Sequence, residues 1–132
     1  SGTILTSTNG TSWTSRSSGT SEHLYNVAYA NGLWVAVGYS GRILTSTNGT
    51  SWTSRTSGTS ANLYDVAYAD GLWVAVGVGG TILTSTTGTS AWTSRTSGTT
   101  YDLRGVAYAD GLWVAVGVGG TISTTRVILP ES

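Results

Sequence analysis

The heptapeptide Gly-Leu-Trp-Val-Ala-Val-Gly occurs three times, at 32–38, 71–77 and 111–117. Between its glycines, five apolar residues follow one another without alternation and are rich in β-branched and aromatic types. Five residues are too few for a helix, so the segment reads as a strand covered on both faces. A lone hairpin leaves such a strand half bare. Each copy therefore needs a neighbour in front and another behind, and that need, repeated at a fixed period, is the mark of stacked or ring-shaped architectures.

The second copy defines the unit most clearly. Leu63 to Ala69 reads as a first strand, A, and Asp70-Gly71 as a two-residue turn into strand B, Leu72 to Val76. Asn-Gly and Asp-Gly favour the positive φ values of a type I′ hairpin, and the other copies have Asn31-Gly32 and Asp110-Gly111 at the same place. After Gly77-Val78-Gly79-Gly80 the sequence predicts strand C over Thr81 to Ser85, a turn around Gly88, and strand D over Trp92 to Arg95. Four antiparallel strands joined by short turns in 39 or 40 residues make one blade-sized unit.

Leu5, Leu44 and Leu83 are 39 residues apart, whereas Trp73 to Trp113 is 40 because Ala91 is inserted. The chain reads as one repeat domain in a permuted frame: strands C and D in 1–16, repeats at 24–55 and 63–95, strands A, B and a C-like strand in 103–125, and a tail, 126–132. Strands C and D at the start can complete a blade with A and B at the end. The C-like segment Thr121 to Thr125 is then surplus, since Thr3 to Ser7 offers the same strand. The fold expected is thus all-β, with about three four-stranded antiparallel blades. Propellers commonly have about four to eight blades, so the chain is expected to close with copies of itself. A homodimer gives a six-bladed ring and is preferred; a homotrimer gives nine. An open end would leave strand edges and an apolar blade face bare.

The turn between C and D carries a resemblance. Ser7-Thr8-Asn9-Gly10-Thr11-Ser12-Trp13 and Ser46-Thr47-Asn48-Gly49-Thr50-Ser51-Trp52 resemble the Asp-box of bacterial BNR, or sialidase-type, propeller repeats, in which Ser, Asp, Gly and Trp shape this hairpin. Here Asn directly precedes Gly, and the third copy has Thr87 in its place and the extra Ala91. The resemblance implies a propeller and leaves function open, because that fold hosts glycosidases, lectins and photosystem assembly factors. Copies this alike mark either recent amplification or an engineered repeat.

Composition narrows the function classes. Six Arg balance six acidic residues and there is no Lys, so no long-range field draws nucleic acid or an acidic membrane surface, and neither is expected as a partner. Without Cys there is no disulfide framework or thiolate metal site, and the scattered acidic residues lack calcium-loop spacing; no metal or cofactor is expected. No signal region or long apolar run occurs, and Ser1-Gly2 reads as a processing scar on a soluble recombinant fragment.

Residues that recur once per repeat read as structure: Trp13, Trp52 and Trp92, Trp34, Trp73 and Trp113, and Arg16, Arg55 and Arg95, the last set contacting carbonyls or a neighbouring blade. Residues that break the repeat are the candidates for binding, and they gather on the face carrying the D-to-A and B-to-C connections. They are Glu22, His23, Tyr39, Arg42, Tyr101, Asp102 and Arg104, with Asn26, Asp65 and Gly105 differing beside them. Such a face suits a glycan, giving a lectin-like module as the alternative to a non-catalytic scaffold. No sialidase catalytic motif maps onto these residues and no fixed carboxylate pair is specified, so an enzyme is not expected and a glycoside hydrolase is remote.

Overall fold

The computed structural model describes residues 2–126, so most of the expected tail, 127–132, lies outside the described residues. The described chain is all-β, with thirteen strands in four antiparallel sheets. A hairpin, β1 (Ile4–Thr6) and β2 (Thr14–Arg16), comes first. Two four-stranded sheets follow: β3 (Leu24–Ala30), β4 (Leu33–Gly38), β5 (Ile43–Ser46) and β6 (Thr53–Arg55), then β7 (Leu63–Ala69), β8 (Leu72–Gly77), β9 (Ile82–Ser85) and β10 (Thr93–Arg95). The last sheet has three strands, β11 (Leu103–Ala109), β12 (Leu112–Gly117) and β13 (Ile122–Arg126). The opening strands β3, β7 and β11 lie against one another, so successive sheets share an inner edge.

The local chemistry behind each strand is visible. Asn31, Asp70 and Asp110 take φ of 52°, 54° and 52°, each followed by a glycine also at positive φ, as a type I′ turn requires. The turn sets the register and pairs Tyr29, Tyr68 and Tyr108 with Trp34, Trp73 and Trp113, ring centroids 4.7–4.9 Å apart. Gly77 ends β8 for a different reason: a Cβ there would run into the Asn62 carbonyl, and Gly38 and Gly117 meet the same obstacle. Two boundaries differ from expectation. Thr81 closes a short 3-10 turn by donating to Val78 O, so strand C begins at Ile82. Trp92, like Trp13 and Trp52, stands one residue ahead of its strand, so strand D begins at Thr93; the inserted Ala91 before it takes φ 57°.

Both faces of Leu-Trp-Val-Ala-Val are covered in β8. Trp73 and Ala75 pack with Val35, Val37, Ile43, Leu63, Val66, Leu83 and Trp92, whereas Val74 and Val76 pack with Leu103, Trp113 and Ala115. The front of one sheet thus meets the back of the next at both interior joints. Each Val, Leu or Ile so buried contributes roughly 1.5–3 kcal/mol over leaving it in water.

The third-to-fourth strand turns are built by side chains. Asn48 Oδ1 accepts the N–H groups of Thr50 and Ser51 at 2.9 Å each, Ser46 Oγ accepts that of Gly49 at 2.8 Å, and Trp52 Nε1 donates to Gly49 O at 2.9 Å. Thr87 does the same work less well, accepting from Thr89 and Ser90 at 3.3 and 3.1 Å. Among the described residues, Arg16, Arg55 and Arg95 make their hydrogen bonds within their own hairpins and not to carbonyls or a neighbouring sheet. Their Nε donates to Thr6, Thr45 and Thr84 Oγ1 at 2.9, 2.8 and 3.0 Å, because those threonines are their diagonal cross-strand neighbours.

Candidate functional site

Each inner strand begins with a bulge. Leu24 pairs with Gly38 but Asn26 with Val37, and the same slip occurs at Leu63/Asp65 and Leu103/Gly105. The extra residue is Tyr25, Tyr64 or Arg104, and a bulge of this kind re-aims its side chain. These three join residues at the strand entrances in a continuous line. Tyr39 meets His23 edge-on at 6.4 Å, His23 lies 6.5 Å from Tyr25, and Tyr25 lies 5.3 Å from Tyr64. The Arg104 guanidinium stands 4.4 Å above the Tyr64 ring, a cation–π geometry, and is 3.9 Å from Asp102 Oδ2.

Beneath this line polar groups bind the inner strands together. Asp65 Oδ1 accepts from Asn26 Nδ2 at 2.6 Å and from Val66 N at 2.9 Å, while Oδ2 accepts from Val106 N at 3.0 Å. One carboxylate therefore ties three strands. Asn62 Oδ1 accepts Ser40 N and Asp102 Oδ1 accepts Gly79 N, both at 2.9 Å, so the first two of the three short turns after B strands are capped from the segment leading into the next sheet. At the opposite ends of these strands Asn31 Nδ2 donates to Tyr68 OH at 2.6 Å, and Tyr108 OH donates to Asp70 Oδ2 at 3.1 Å. Partial removal from water, then the bond to Asp70, raises the Tyr108 phenol above its ordinary value.

Of the seven residues singled out in the sequence, His23, Tyr39, Asp102 and Arg104 come together in the line. Arg42 does not: its Nη1 donates to Ser54 Oγ at 3.2 Å, and it borders a shallow polar depression of about 380 Å³ with Arg55 and residues 56–60. Tyr101 lies over the Gly119 turn of its own sheet, close enough that a methyl added there would come within 3.3 Å of the ring. Glu22 is half-buried, its backbone N–H donating to Thr20 Oγ1 at 3.0 Å. Tyr25 and Tyr64 belong to the line although sequence reasoning passed over them. The available signal was the replacement of Tyr by Arg at the same repeat position, 104.

Chemically the line offers stacking surface and one ion pair. Asp102 spends one oxygen on Gly79 N and the other on Arg104, which leaves it an orienting group. Among the described residues no three His, Cys, Asp or Glu side chains gather as metal ligands, and no helix is long and apolar enough to cross a membrane. No family model, curated protein or solved structure matches the chain.

Proposed function

We propose that the chain is a non-catalytic repeat scaffold of the BNR-like propeller type, whose activity is to assemble with copies of itself into a closed ring. Two chains supply six blades and form the preferred ring; three would supply nine. One observation carries this reading: residues that are buried at the interior joints are bare at the two ends of the chain. Val27 is 49 % exposed where Val66, its repeat equivalent, is 4 % exposed; at the other end Val116 is 44 % exposed where Val37 and Val76 are fully buried. The bare back of one sheet and the bare front of another have the two shapes that cover each other inside the chain. Polar groups are complementary as well. Tyr29 and Asp110 are both exposed, and their repeat equivalents at the interior joint, Tyr108 and Asp70, are hydrogen-bonded.

Introducing a charge at the bare face tests the reading. Val27→Asp should leave the strand content by circular dichroism intact and break the assembly to single chains. Assembly unaffected by Val27→Asp would contradict it. A second reading, a carbohydrate-binding face, is favoured by the line from Tyr39 to Arg104, since aromatic faces beside an Arg–Asp pair suit sugar rings and their hydroxyls. A glycan array separates the two: reproducible binding lost in Tyr64→Ala and Arg104→Ala would support the lectin, and an empty array would leave the scaffold.

A further inference from the structure

The strand β13 lies on the edge of β12 in the register that β5 and β9 take on β4 and β8. Ala115 faces Ser123, as Ala36 faces Leu44 and Ala75 faces Leu83. Leu44 and Leu83 are both buried, at 1 % and 2 % exposure, and Ser123 cannot fill the same space. A cavity of about 290 Å³ lies there, between the front of β7–β10 and the back of β11–β13, bordered by Val74, Val76, Ile82, Trp113, Ala115 and Ser123. At the preceding joint the matching volume is occupied by Leu83 and Trp92, packed on Val35, Val37 and Ile43.

The chain carries those two side chains once more, unused. In the β1–β2 hairpin Leu5 stands at the repeat position of Leu83 and Trp13 at that of Trp92, and they are 52 % and 58 % exposed. Trp113 adds an independent sign. Its indole N–H is buried without an acceptor among the described residues. The indoles of Trp34 and Trp73 lie against Gly49 and Gly88 in the turns that follow their C strands, and Gly10 occupies that turn in β1–β2.

We propose that β13 is a placeholder that the β1–β2 hairpin of a second copy displaces when the ring closes. The incoming strand would pair Leu5 with Ala115 and Thr6 with Val114, seat Leu5 and Trp13 in the cavity, and bring Gly10 beside Trp113. Backbone hydrogen bonds to β12 are exchanged one set for another, so preference rests on side chains, and the cavity favours Leu over Ser. The inference rests on the ring reading and resolves which of the two C strands the ring uses.

Three full-length variants test it by analytical ultracentrifugation over a concentration series. Leu5→Ser should weaken assembly by about a hundredfold, the effect of losing a buried Leu. Ser123→Leu should raise the melting midpoint of the single chain and also weaken assembly, because it fits the placeholder to its groove. Assembly unchanged or strengthened by Ser123→Leu would overturn the exchange, as would assembly indifferent to Leu5→Ser. Since the chain has no cysteine, a third check is unambiguous: Thr6→Cys with Val114→Cys should form a disulfide between chains, whereas Thr124→Cys with Val114→Cys should form one within a chain and block assembly. An intact ring holding the 114–124 disulfide overturns the exchange but leaves the ring. A parent protein that never exceeds one chain's mass overturns the ring and the exchange with it.

Discussion

At the scale of single residues, the structure turns on a few side chains that replace backbone partners. Asn48 accepts two N–H groups in a turn where no backbone carbonyl reaches them, so Asn48→Ala should cost about 1 kcal/mol, read from the urea midpoint. Asp65 accepts three N–H groups from three strands, and Asp65→Ala should cost more, about 2–3 kcal/mol. Equal losses for the two would contradict the role given to Asp65. The Tyr108 phenol, raised by partial removal from water and by Asp70, is held more firmly protonated in the folded chain. Its contribution to stability is therefore complete below the unfolded value of 10.0 and is lost as pH rises through the folded one. Asp70→Asn should return the tyrosinate absorbance of Tyr108 toward the ordinary range; an unchanged titration would show that Asp70 is not a cause. Much at this scale was legible in the sequence, because repetition exposes it: the Asn-Gly turns and the recurring Trp are where the repeat places them. The stacking line was not, since it depends on Tyr25, Tyr64 and Arg104 being the extra residues of bulges, and a bulge leaves no apolar alternation to read.

At the scale of elements, the apolar heptapeptide does what its composition requires, presenting Trp73 and Ala75 to one neighbour and Val74 and Val76 to the other. Its closing glycine is needed for space. Gly77→Ala would push a methyl into the Asn62 carbonyl, so a loss of about 1–3 kcal/mol is expected, whereas at Gly79 the space is open and the same change meets only the backbone cost of its left-handed φ of 70°, about 1 kcal/mol. The boundary of the fourth strand escaped sequence reading, because Trp92, like Trp13 and Trp52, serves the turn and not the strand, its indole bonded to Gly88 O at 3.2 Å. The roles of Arg16, Arg55 and Arg95 escaped it too: a cross-strand diagonal to a Thr exists only once register is fixed, and register is set by turns several residues away.

At the scale of the whole molecule, one fact governs the rest: the interior joints are covered from both sides, with a cavity left only beside Ser123 at the second, and the two outer faces are open. The period, the apolar strand and the four-stranded sheets could all be read from the residues, because each is local or recurs. The imbalance between β13 and the β1–β2 hairpin could be seen only as a surplus strand, since Ser123 for Leu is a mild change until the neighbouring sheet is in place to leave a cavity. The outer faces are apolar and the net charge is zero, so assembly should change little between low and high salt. The measurement closest to the central claim is the native mass in dilute solution. The ring account requires twice the single-chain mass of 13.6 kDa, with three chains as the only tolerated alternative. A single-chain mass combined with one cooperative unfolding transition would contradict it.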